Sequence, residues 1–89
     1  MEFKWDSTKA ESNLRKHGMA FELAINVFSD PERTISVDSR LNYEGERFIT
    51  TGEIAGRWCV IVYTERGNTI RIISARKANK RELKRHDNR

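Results

Sequence analysis

The stretch RWCVIVYTERGNTIRIIS, residues 57–74, constrains this chain more than any other. Residues 57–64 are nearly continuous in β-formers and read as a central strand. Arg66-Gly67-Asn68 supplies a tight turn, and TIRIIS, residues 69–74, pairs back as a hairpin. A central strand needs neighbours on both sides, and the rest of the chain supplies them.

EFKW, residues 2–5, alternates polar and apolar with Phe3 and Trp5 on one face, a short strand. Asp6 then stands as an N-cap before STKAESNLRKH. Ala10, Leu14 and His17 fall on one side of that helix, and Gly18 stops it. A second helix is expected through AFELAINVF, residues 20–28, with Phe21, Ala24, Ile25 and Phe28 in one stripe and Leu23 and Val27 widening it. Asp30-Pro31 ends it. RTISVD and RFITTGEI, residues 33–38 and 47–54, read as strands, and Ala55-Gly56 turns tightly into residue 57. ANKRELKRH, residues 78–86, closes as a short helix. The expected order is β-α-α-β-β-β-β-α. Short turns between successive strands imply an antiparallel sheet, with two N-terminal helices packed on one face and a short C-terminal helix, an α+β fold.

The chain has 89 residues, enough for one domain over 1–89 with a single core. No apolar run is long enough for a transmembrane helix, and the charged N-terminus has no apolar signal core. One cysteine, Cys59, has no partner for a disulfide, which fits a reduced cytoplasm. Charge is split. Residues 1–70 carry 9 basic and 11 acidic side chains, a net of −2. Residues 71–89 carry 8 basic and 2 acidic, a net of +6. An apolar strand thus runs straight into a dense positive surface, which implies a polyanion or an acidic partner, or else a solvated basic helix. His17, His86 and Cys59 are not at ligand spacing, so no metal site is expected, and there is no phosphate-binding glycine loop.

Five segments, WDSTKAESNLRKHG, FELAINVFSDP, GERF, VIVYTERG and IRIISARKANKRE, come in an order that resembles the BrnT toxins of BrnT/BrnA type II toxin–antitoxin systems. The resemblance covers almost the entire chain. It implies a RelE-like fold and a ribonuclease that blocks translation. It also implies a small antitoxin that binds operator DNA through a ribbon-helix-helix domain. Three positions depart from the pattern. Ala20 stands where the family often has a capping residue, Leu23 where it often has glutamate, and His86 where it often has tyrosine.

RNA is cut without metal when its own 2′-hydroxyl attacks the adjacent phosphorus. A base takes the hydroxyl proton, an acid protonates the leaving oxygen, and cations stabilise the phosphorane. Guanidinium groups suit the last role because their planar fork matches phosphate oxygens. Arg76 follows the last strand by two residues and shares its parity with Ile70 and Ile72, so it is expected at the rim of the helix-bearing face, with Lys77 leaving in the opposite sense. An ion pair between Arg76 and Glu82 is the structural alternative. Arg66, at the hairpin, ranks below Arg76. His17 is the residue best suited to proton transfer at neutral pH, although a histidine beside a helix-ending glycine commonly only caps it. His86 stands in the place of the tyrosine as a possible acid. Lys16, Lys77, Lys80, Arg81, Lys84 and Arg85 are expected to attract RNA at longer range. Trp5, Trp58 and Tyr63 read as packing residues, and Cys59 as a small buried hydrophobe. The function this composes is a metal-independent endoribonuclease toxin without cofactor. The alternative is a nucleic-acid-binding or antitoxin-binding module without catalysis.

Overall fold

The computed structural model describes residues 1–38 and 45–87, with the backbone alone described at positions 86 and 87. The elements are β1 Glu2–Lys4, α1 Ser7–His17, α2 Phe21–Ala24, β2 Thr34–Asp38, β3 Arg47–Ile54, β4 Arg57–Arg66, β5 Thr69–Lys77 and α3 Lys80–Asp87. The element order is the expected one. The five strands form one sheet in the order β1-β5-β4-β3-β2, and β4 is indeed the central strand.

The sheet is not wholly antiparallel. β1 pairs parallel to β5, with Glu2 opposite Thr69 and Lys4 opposite Arg71, so the fold is α+β with a mixed sheet. Turn chemistry announces pairing between neighbours along the chain. The β1–β5 pair joins the two ends of the chain, and no local signal marks it.

The local stops behave as their residues dictate. The Asp6 carboxylate accepts from the backbone N–H groups of Thr8 and Lys9 at 2.8 and 3.1 Å, which holds its pKa below the usual carboxylate range. Gly18 ends α1 at φ 69°, donating to the Leu14 carbonyl. The second helix is shorter than expected. It is α-helical only over Phe21–Ala24 and tightens into a 3-10 helix over Ile25–Ser29. Its N-cap, Ala20, has no side-chain oxygen to offer the orphan N–H groups.

The core lies between these helices and one face of the sheet. Met19, Phe21, Ala24 and Val27 pack on Cys59, Ile61, Tyr63, Ile70, Ile72 and Ala75. Burying a side chain the size of Phe21, which is fully covered, contributes about 1.5–3 kcal/mol. Trp5 packs edge-on against Phe21, and Tyr63 lies between Phe28 and Phe48. Gly52 lets the 3-10 helix sit close to β3. A Cβ there would stand 3.0 Å from Val27 and from the Arg33 Cβ.

On α1 the buried position is not Leu14, which is half exposed, but Asn13. Its side-chain amide donates to the carbonyls of Met19 and Ala75 at 2.9 and 2.8 Å. Its oxygen accepts from the Ala75 N–H at 3.1 Å. β1 covers the β5 edge only as far as Arg71. Beyond it, Asn13 presents to Ala75 the donor and acceptor that a neighbouring strand would have supplied. Unmade, those buried backbone groups would each cost about 1–3 kcal/mol.

Candidate functional site

β5 changes face partway along. Val62 pairs with Ser74 and Tyr63 with Ile72, so Ile73 is an extra residue, a β-bulge. One inserted residue inverts the alternation that follows. Ile70 and Ile72 point to the helices before the bulge, and Ala75 does so after it. Arg76 is the cross-strand partner of Val60, which alternates with the core residues Cys59 and Ile61. Arg76 therefore leaves on the far face of the sheet, away from the core, and Lys77 takes the helix-side parity. This reverses the arrangement expected from unbroken alternation. Arg76 is also within β5, which runs to Lys77, and not beyond its end.

The Arg76 guanidinium is held. It donates through Nη1 and Nη2 to the two carboxylate oxygens of Glu82 at 2.7 and 2.9 Å, and through Nη1 to the Lys77 carbonyl at 3.2 Å. The ion-pair alternative is thus the observed geometry. Glu82 also closes the start of α3. It accepts from the Asn79 N–H at 2.8 Å, and the Asn79 side chain accepts from the Glu82 N–H at 2.9 Å, a reciprocal capping box. The Arg76 hydrogen bonds, helped by that of Asn79, hold the Glu82 carboxyl below its usual range despite partial burial. Asn79 followed three residues later by Glu82 was readable in the sequence as this cap.

His17 reaches the same end of β5 from the helix layer, across the sheet from the face on which Arg76 leaves. Asn13 fixes α1 to the backbone of Ala75, next to Arg76, and His17 is one turn on, about 6 Å along the helix. The chain after it turns back so that Met19 also meets Asn13. His17 is half-buried there. The His86 side chain lies outside the described residues.

Arg66 stands elsewhere. It pairs with Thr69 at the opposite end of the β4–β5 hairpin. Six residues of β4 separate it from Val60, the partner of Arg76, about 20 Å at strand rise. Both arginines project from the far face. Arg66 has two cationic neighbours, Lys4 and Arg71, that no sequence motif marks. With Thr64 and Thr69 they line a hollow of about 390 Å³. No local motif unites them, because β1 brings Lys4 from the other end of the chain.

Lys16, Lys77, Lys80, Arg81, Lys84 and Arg85 are exposed. Cys59 is buried, and that burial pushes its thiol up, away from a reactive thiolate. Among the described residues no helix is long and apolar enough to cross a membrane.

The chain matches a family model described as "Ribonuclease toxin, BrnT, of type II toxin-antitoxin system" over residues 5–82. The match takes in His17, Arg66 and Arg76 and stops at Glu82. No curated protein matches the chain.

Proposed function

The chain belongs to the BrnT family of ribonuclease toxins of type II toxin–antitoxin systems, and from that premise we propose that it cuts RNA at the Arg76 end of the far face and so inhibits translation. The family carries with it an RNA substrate and an antitoxin partner. The proposal goes further for this chain. Cleavage proceeds without metal, by attack of the 2′-hydroxyl. The antitoxin is a ribbon-helix-helix protein that carries the complex to operator DNA. The setting is the cytoplasm.

The observation that carries this reading is the fixed guanidinium of Arg76. Two carboxylate oxygens and a carbonyl orient it, so it meets a developing phosphorane without first having to be ordered. His17, brought to this end of β5 on the helix side of the sheet by the Asn13 clamp, takes the 2′-hydroxyl proton from RNA that passes round the β5 edge left open beyond β1. His86 delivers a proton to the leaving 5′-oxygen. Arg66 acts at a distance from this centre. The exposed cations of α3 draw the polyanion in, without choosing a geometry for it.

The same bidentate pair supports a second reading, in which Arg76 only anchors α3 and the chain binds nucleic acid or antitoxin without catalysis. One experiment separates the two. Purified chain is incubated with single-stranded RNA in excess EDTA, and the new ends are analysed. The expected products carry 2′,3′-cyclic phosphate or its 3′-phosphate. Activity that is lost in EDTA and returns with added metal would overturn the mechanism. RNA binding without any cleavage would select the second reading.

A further inference from the structure

The hollow around Arg66 has no role in the chemistry above, and three cations line it. Lys4, Arg71 and Thr64 are cross-strand neighbours in one row over β1, β5 and β4, and Glu2, Thr69 and Arg66 form the next row. Three cations thus line one hollow with two hydroxyls. Like charges directly opposite one another on paired strands oppose folding, and Lys4 stands opposite Arg71. No described acid is seated among them. Glu2 shares the face but does not line the hollow. Asp6 acts on Arg71 through space, but its carboxylate is engaged by the N-terminus of α1. The chemistry of the lining, two guanidiniums, an ammonium and two hydroxyl donors, is that of a phosphate site.

We propose that Lys4, Arg66 and Arg71 bind a backbone phosphate of single-stranded RNA at a distance from the cutting centre. The hollow opens on the same face as Arg76, about 20 Å away along β4. One strand therefore lies across the far face, held in the hollow at one end and presented to Arg76 at the other. Binding then depends on length. A strand of about four nucleotides or more, the lower bound of single-strand sites on sheet surfaces, engages both ends. This rests on the ribonuclease reading for its substrate but not for its test, which reads binding alone.

The test compares the full chain with Lys4→Gln/Arg71→Gln and with a control of equal charge loss on α1, Lys9→Gln/Arg15→Gln. The probes are fluorescein-labelled single-stranded RNAs of about 2 to 12 nucleotides. Affinity is measured by anisotropy across a salt series. We expect the hollow variant to bind the longest RNA more than about tenfold more weakly, since charge-assisted contacts are lost. Its slope of log K against log salt should fall by about 1.4, or about 0.7 for each lost contact. The gain in affinity with RNA length should vanish in this variant and persist in the control. Equal losses in both variants would make the effect one of net charge and overturn the proposal. Unchanged affinity and slope would overturn it too, whether or not the protein cuts RNA. RNA binding preserved while co-expressed antitoxin no longer co-purifies would assign the hollow to the protein partner instead. Circular dichroism melts of both variants confirm that the comparison is between folded proteins, and Arg71→Lys, which keeps the charge but not the fork, should lose part of the affinity and little of the slope.

Discussion

The two ends of the far face carry the same kind of charge in opposite states. At one end Arg76 is fixed by Glu82, and Glu82 is itself fixed by Asn79. At the other, Lys4, Arg66 and Arg71 face a hollow with no acid seated among them. A guanidinium that is already oriented suits a step in which charge develops at a defined point. Cations around an open hollow suit capture, where salt-dependent attraction counts for more than geometry. The turns beyond each end differ as well. The Arg76 end is closed by Ala55-Gly56, with a non-glycine residue at φ 50°, and the hollow end by Gly67-Asn68, with glycine at φ 56°.

The contrast breaks most sharply at Arg76 itself. Arg76→Ala should lower single-turnover cleavage by about 10²–10³, the usual cost of removing one preoriented donor to an oxyanion, and growth inhibition should disappear with it. A folded Arg76→Ala protein that remains fully toxic sinks the assignment of chemistry to this end.

Next in size is the clamp beneath it. Asn13→Ala removes three hydrogen bonds and strands the Ala75 N–H and two carbonyls. A loss of about 2–4 kcal/mol in chemical denaturation is expected. Asn13→Asp keeps the acceptor but loses the donor, so it should recover only part of that. If Asn13→Asp were as stable as the parent, the strand-like pairing at Ala75 would not be what holds α1.

Glu82→Gln tests whether the fixed state depends on charge. It should cost about 1–2 kcal/mol through the weakened cap and ion pair. The sign with pH follows from the lowered carboxyl pKa. A depressed folded-state pKa contributes stability above the unfolded value, near 4.3, and that contribution is lost as pH falls through the folded value. The gap in melting temperature between parent and Glu82→Gln should therefore be full at pH 6–7 and shrink only as pH falls below the unfolded carboxyl value. A gap that widens on acidification contradicts the pair.

The smallest effect belongs to the turns. Ala55→Gly relieves a left-handed alanine and should raise stability by up to about 1 kcal/mol. Gly67→Ala should lower it by a similar amount. Neither should change RNA affinity, which a binding isotherm checks directly.

The sequence carried the parts of this arrangement that depend on near neighbours. Asp6, Gly18, Ala55-Gly56 and Arg66-Gly67-Asn68 mark boundaries through their own backbone preferences, and all fall where expected. The words around Arg76 mark it as a candidate, but its face is not legible in them. That face depends on the bulge at Ile73, and Ile72-Ile73 breaks the alternation only as a pair of apolar residues inside a run of them. Lys4 and Arg71 carry no local signal of one another, because their proximity follows from a pairing between strands far apart in the sequence. Asn13 is not legible either, because a polar residue on a helix reads as solvated and its partners, Met19 and Ala75, come from the fold. The cap between Asn79 and Glu82 is legible in their three-residue spacing, while the bond from Arg76 to the same carboxylate is not.

The clamp at Ala75 also fixes when this protein can begin to work. Asn13 and Ala75 are 62 residues apart, and β1 waits on the same strand for its pairing. While a ribosome is still making the chain, α1 and β1 emerge early and have nothing to dock on. The hairpin of β4 and β5 must follow before the first residues find their place, and pairings this distant along a chain form late. His17 and Lys4 join Arg76 and the hollow only across that one seam. A copy that still lacks β5 therefore carries pieces of the site without the site, and it gains the ability to act on RNA only once that strand has emerged and docked.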